Sequence, residues 1–161
     1  MASRNSTAAI VAGLTILAIA AAGTLGQAQM DKRAAEGAVE YRQSTMNVLF
    51  NSFGPLGAMA SGKAPFDAKK AQTLATRAVF MSNIAAEVFP AGSGPESGVT
   101  TKAKAQIWTD QAEFQKLMKD AHDKLEALAK ATRSGKLETV KAAFGPAGAA
   151  CKACHDKFKE E

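Results

Sequence analysis

The stretch "KLETVKAAFGPAGAACKACHDKF", residues 136–158, decides the fold. Leu137, Val140, Phe144, Ala147, Cys151, Cys154 and Phe158 follow one another at alternating steps of three and four residues. That spacing lays successive side chains along one stripe of an α-helix. The segment is predicted to be an amphipathic helix from about Lys136 to the C-terminal end. An apolar stripe of this length must be covered by other helices.

The same period recurs upstream. Ala71, Leu74, Ala78, Met81, Ala85 and Val88 form a stripe in a helix expected over about Ala68–Val88, with Asp67 as its N-cap and Pro90 closing it. Ile107, Phe114, Met118, Ala121, Leu125 and Leu128 do so in a helix expected over about Ala103–Thr132, which stops at Ser134-Gly135. A first helix is expected from about Asp31 to near Phe53 or beyond, with Gly54-Pro55 as a kink or a stop. Glycine-, proline- and serine-rich breaks separate the four segments, the longest being "PAGSGPESGVTTK", and no strand alternation is present. The expected fold is all-α, an antiparallel up-down four-helix bundle. The first stripe, Val39, Met46, Leu49, Phe50 and Phe53, carries a polar break at Arg42 and Gln43. Such a break marks either a helix turning outward or a functional site.

Residues 1–28 read as a secretory signal peptide: Arg4, then an uncharged apolar run from about Ala8 to Leu25, then small residues at Gly26 and Ala28. Cleavage after Ala28 leaves a single domain, 29–161, in the periplasm and free of the membrane; an uncleaved anchor is the rival reading. The chain is 47% hydrophobic, 6% aromatic and 22% charged, an ordinary globular composition. Its net charge of +5 comes from lysines interleaved with acidic residues, a solvated surface rather than a nucleic-acid footprint. One tryptophan and one tyrosine give no platform for stacking bases.

Both cysteines and one of the two histidines lie between Cys151 and His155. Cys-x-x-Cys-His is the pattern that attaches haem covalently. On a helix the two thiols lie one turn apart on one face, within reach of one porphyrin edge, and His155 can turn its imidazole under the ring as an axial iron ligand. Zinc would need two further ligands, of which His122 supplies at most one. A thioredoxin-like redox pair needs a βαβ context that is missing, and a disulfide across so short a loop would stabilise little. No nucleophile-base constellation, paired carboxylates or phosphate loop points to an enzyme.

These features together resemble the class II c-type cytochromes, comprising cytochrome c′ and its low-spin, Met/His-ligated relatives. "AVEYRQSTM" (38–46) is similar to the family's first helix, "GKAPFD" (62–67) to its first interhelical loop, and "FPAGS" (89–93) to the end of its second helix. "IWTDQAEF" (107–114) is similar to the start of the third, and "AAFGPAGAACKACHDKF" (142–158) to the last. The resemblance implies one haem c held by thioethers from Cys151 and Cys154, with His155 as proximal ligand and Met46 facing the opposite side of the iron. It implies Arg42 and Gln43 at the haem edge near the propionates, Phe89 lining the distal pocket, and Phe158 and Lys159 at the aromatic and basic positions after the histidine. The basic position is often arginine, and lysine lacks the planar fork. Gly145-Pro146 predicts a kink in a last helix that the family keeps nearly continuous.

Met46 then separates two functions. A bound thioether gives a six-coordinate, low-spin centre of raised potential and an electron carrier; this is the expectation carried forward, because a thioether is a competent soft ligand. A thioether that only packs on the ring leaves a five-coordinate iron open to nitric oxide or carbon monoxide. Met81 and Met118 are read as packing, Met30 and Met59 as remote, and His122 as a surface or boundary residue. Lys152, Lys157 and Lys159 are either a solvated face or a docking patch for acidic redox proteins. Many such cytochromes pair through their first two helices, so the resemblance also brings in a homodimer.

Overall fold

Two aspartates start the first two helices of the computed structural model, which describes residues 30–161. Asp31 accepts a hydrogen bond from the Ala34 amide at 2.8 Å and opens α1, Lys32–Ala60. Asp67 accepts from the Lys70 amide at 2.9 Å and opens α2, Ala68–Glu87, where the sequence placed the cap. After a connecting segment come a short α3, Gln106–Thr109, then α4, Gln111–Thr132, and α5, Leu137–Phe158. Gly135, at φ 66°, makes the tight turn between the last two, a backbone conformation that glycine adopts without a Cβ penalty. The signal peptide expected over 1–28 lies outside the described residues.

α1 packs on α2, α2 on α4 and α4 on α5, and α1 closes the ring against α5 over part of its length. The result is a four-helix bundle, with α3 a single turn ahead of α4. Leu56, Met59, Leu74, Leu125, Leu128 and Val140 are buried together at one end. There α1 and α5 touch through Phe53 and Phe144, whose rings stack with centroids 4.4 Å apart. A second cluster, Ile107, Phe114, Cys154 and Phe158, occupies the other end. Between the two the bundle is open.

Three expectations need correction. The third helix does not begin at Ala103: Asp110, at φ −122° and ψ 51°, breaks the chain between α3 and α4, and Ala103 instead pairs with Lys159 in an isolated antiparallel bridge. Of the two readings of Gly54-Pro55 the stop is excluded, and the last helix runs on through Pro146 as expected. Pro55 and Pro146 leave the carbonyls of Asn51 and Ala142 without intrahelical donors, but both residues are exposed, where water replaces the lost partner. Met59 is therefore buried core rather than a residue beyond a break.

Gly57 sits at the α1–α5 contact. A Cβ there would stand 2.7 Å from Phe144 Cζ, so the Phe144 ring would have to shift against Phe53. Gly57→Ala is expected to lower stability by about 1–3 kcal/mol, the usual cost of overpacking, visible as a fall in the thermal midpoint.

Candidate functional site

Where α1 and α5 diverge, the bundle encloses a cavity of about 680 Å³. This lies within the usual size of a cofactor pocket. All nine residues singled out from the sequence line it: Arg42, Gln43 and Met46 from α1, Phe89 after α2, and Cys151, Cys154, His155, Phe158 and Lys159 at the end of the chain. The polar break in the α1 stripe thus lies on the cavity wall. Met46 is half-buried and lines the cavity from α1, whereas Cys151 and Cys154 line it from α5.

Cys151 and Cys154 are free thiols, one half-buried and the other buried. Burial raises both thiol pKa values, that of Cys154 to about 11, with the charge of Cys151 adding to the effect there. His155 is an exposed residue at the rim, yet the protein around its imidazole lowers its pKa, and the Lys159 charge adds to this while Asp156 opposes it. The three groups are therefore held neutral at neutral pH, and a neutral imidazole is the ligating form. One consequence is measurable on haem-free chain. Near pH 8 only about a thousandth of Cys154 is thiolate, so alkylation by iodoacetamide should be slow, rising as pH climbs towards about 11.

Aromatic rings build the far end of the cavity. Phe89 meets Phe114 edge-on at 4.9 Å, and Phe114 meets Phe158 in the same way at 5.3 Å. Trp108 Nε1 donates to the carbonyls of Phe89 and Pro90 at 3.2 and 3.0 Å, fixing the end of that wall. The Arg42 guanidinium lies 4.9 Å above the Phe89 ring and is only 4% exposed. Its pKa is lowered by burial, with Glu96 opposing. Both terminal nitrogens of Arg42 are taken by acceptors in the segment between α2 and α3.

Met118, read as packing, lines the cavity with its sulfur 4.0 Å from Cys154 Sγ. His122 is half-buried at the α2–α4 boundary, Nδ1 2.8 Å from Ser82 Oγ and Nε2 3.5 Å from Glu126. Two of the three clustered lysines are paired: Lys152 with Asp156 at 2.7 Å and Lys157 with Asp110 at 2.9 Å. Those carboxylates offset much of the charge that a docking patch would present. Sequence reasoning missed Thr101 and Ser93, the side-chain partners of Arg42, because they sit in a loop without periodicity.

The donor set fits haem. Two thiols on one face, an imidazole in the next residue and apolar walls suit a porphyrin edge, and among the described residues no group of three His, Cys, Asp or Glu converges to hold a bare metal ion. Comparison with known proteins agrees. The family profile described as Cytochrome C′ matches residues 37–159. Cytochrome c′ of Rubrivivax gelatinosus is 43% identical over 127 residues, covering 77% of this chain and 95% of the relative. Its crystal structure superposes with a TM-score of 0.73 at 40% identity, over 78% of this chain and 97% of that one. A leucine variant of cytochrome c′ from Alcaligenes xylosoxidans, solved as its nitric oxide complex, gives a TM-score of 0.72 at 31% identity, over 79% and 97%. The matched region takes in nearly all of the bundle and the whole cavity wall, and on that ground the chain belongs to the cytochrome c′ family and carries one covalent haem c.

Proposed function

We propose that the chain is a periplasmic haem c protein that binds nitric oxide or carbon monoxide on the face of the haem covered by Met46. Cys151 and Cys154 hold the ring by thioethers and His155 is its proximal iron ligand. Bound haem supplies an iron with one position open to a diatomic molecule. The chain's own residues decide what reaches it. Met46, Leu49, Phe53 and Phe89 present apolar surface, which admits a small weakly polar gas and disfavours charged or strongly hydrated ligands. Gln43 and Lys159 stand at the rim with Arg42 behind them, and Phe158 packs below Phe114. Neither Met46 nor Phe89 can act as an acid or base, so peroxidase chemistry lacks its proton donor.

The observation that carries this reading is a relative of the same fold solved with nitric oxide bound. It shifts the weight away from the electron carrier favoured by the sequence. That second reading retains one support, the Met46 side chain lining the same cavity as His155. One spectrum separates them. The purified ferrous protein should show broad high-spin bands that shift on adding carbon monoxide; sharp split alpha and beta bands that ignore the gas would mean that Met46 holds the iron.

The periplasmic location rests on residues 1–28 acting as a cleaved leader, and no helix among the described residues is long and apolar enough to cross a membrane. The same preparation should begin at Gln29. Tyr41, Val48 and Phe80 are exposed on α1 and α2, which supports a homodimer through these helices. Its sedimentation mass checks this.

A further inference from the structure

Arg42 reaches across the bundle to the segment between α2 and α3. Its Nη1 donates to the Val88 carbonyl at 3.4 Å and to Ser93 Oγ at 3.1 Å. Its Nη2 donates to the Ser93 carbonyl at 3.1 Å and to Thr101 Oγ1 at 3.0 Å. One side chain of α1 thereby ties down the start, middle and end of that segment. Lysine could not do so, because its compact ammonium lacks the planar fork that serves several acceptors at once. A buried guanidinium is costly to leave unpaired, so the ties hold firmly.

The ties continue towards the haem attachment site. Thr101 Oγ1 also accepts from the Ala103 amide at 3.1 Å. Ala103 is bridged to Lys159: the Lys104 amide donates to the Phe158 carbonyl at 3.0 Å, and the Glu160 amide to the Lys102 carbonyl at 2.8 Å. The Lys159 amide in turn donates to the carbonyl of His155 at 2.9 Å. An unbroken path of hydrogen bonds and short backbone steps runs from Arg42 on one wall to the turn bearing His155 on the other. Without such pinning the last turn of a terminal helix frays.

We propose that Arg42 is a positioning residue for His155: by clamping the 88–104 segment it fixes the last turn of α5, and with it the strength of the iron–imidazole bond. The inference rests on His155 being the iron ligand. The test uses the holoprotein with Thr101→Val and, separately, Arg42→Lys. Two quantities are read: hydrogen exchange at the Lys104 and Glu160 amides, and the iron–histidine stretching band of the ferrous protein by resonance Raman. Exchange at both amides should accelerate about tenfold or more, the size expected for losing one hydrogen bond to a charged group, and the band should broaden and move to lower frequency. A band that stays in place while the amides loosen, or amides that do not loosen, would overturn the proposal. An iron–histidine band that persists unchanged when His155 is replaced by alanine would instead refute the role of His155. Should Arg42→Lys fail to fold, Thr101→Val decides alone, since it removes the oxygen that receives both Arg42 Nη2 and the Ala103 amide, cutting the path at its middle, and keeps the shape.

Discussion

With serine at both Cys151 and Cys154, the protein is expected to lose all covalently bound haem. Acid-acetone extraction should then remove every trace of colour, where the parent keeps it. The reason is chemical rather than steric. Both thiols line the cavity from one face of α5, and a thioether requires sulfur at each position. Serine keeps the helix and the approximate shape, so the fold should survive while the bond does not. Single replacements should give an intermediate result, one thioether in place of two.

Met46→Ala carries the second large effect. If Met46 packs over the open face of the iron, its side chain must move before a gas molecule can bind. A binding-competent state populated at about 0.1–10% reduces apparent affinity by the same fraction. Deleting the side chain should raise carbon monoxide affinity on the order of ten- to a thousandfold, mostly through faster association, and leave the ferrous spectrum high-spin. A parent spectrum that is low-spin and becomes high-spin only in the variant would show that the thioether is a ligand.

Much of this arrangement was legible in the chain itself. The stripe from Leu137 to Phe158 has a period that only a helix satisfies, and Cys-x-x-Cys-His on that stripe placed the attachment site on a core-facing surface. Asp67 was readable as a cap because capping is local. What escaped reading depended on contacts distant in sequence. Nothing near Pro55 reveals that Asn51, whose carbonyl it frees, is exposed, which is why a kink and a stop were both open readings there. The break at Asp110 was hidden because Ile107 keeps the register of α4 although it belongs to α3. Arg42 was singled out from the sequence and lines the cavity, but its acceptors, 46 to 59 residues away in an aperiodic loop, were not legible. The pairing of Lys157 could not be read from the chain for a similar reason, since Asp110 is remote from it in sequence.

The attachment of one porphyrin to both cysteines can be read from a tryptic digest of the denatured, reduced protein. Trypsin cuts after Lys152, between the two cysteines, so their peptides stay joined only if a haem bridges them. A single coloured species containing Cys151, Cys154 and one haem is the expected product. Two separate colourless peptides with free thiols would contradict it.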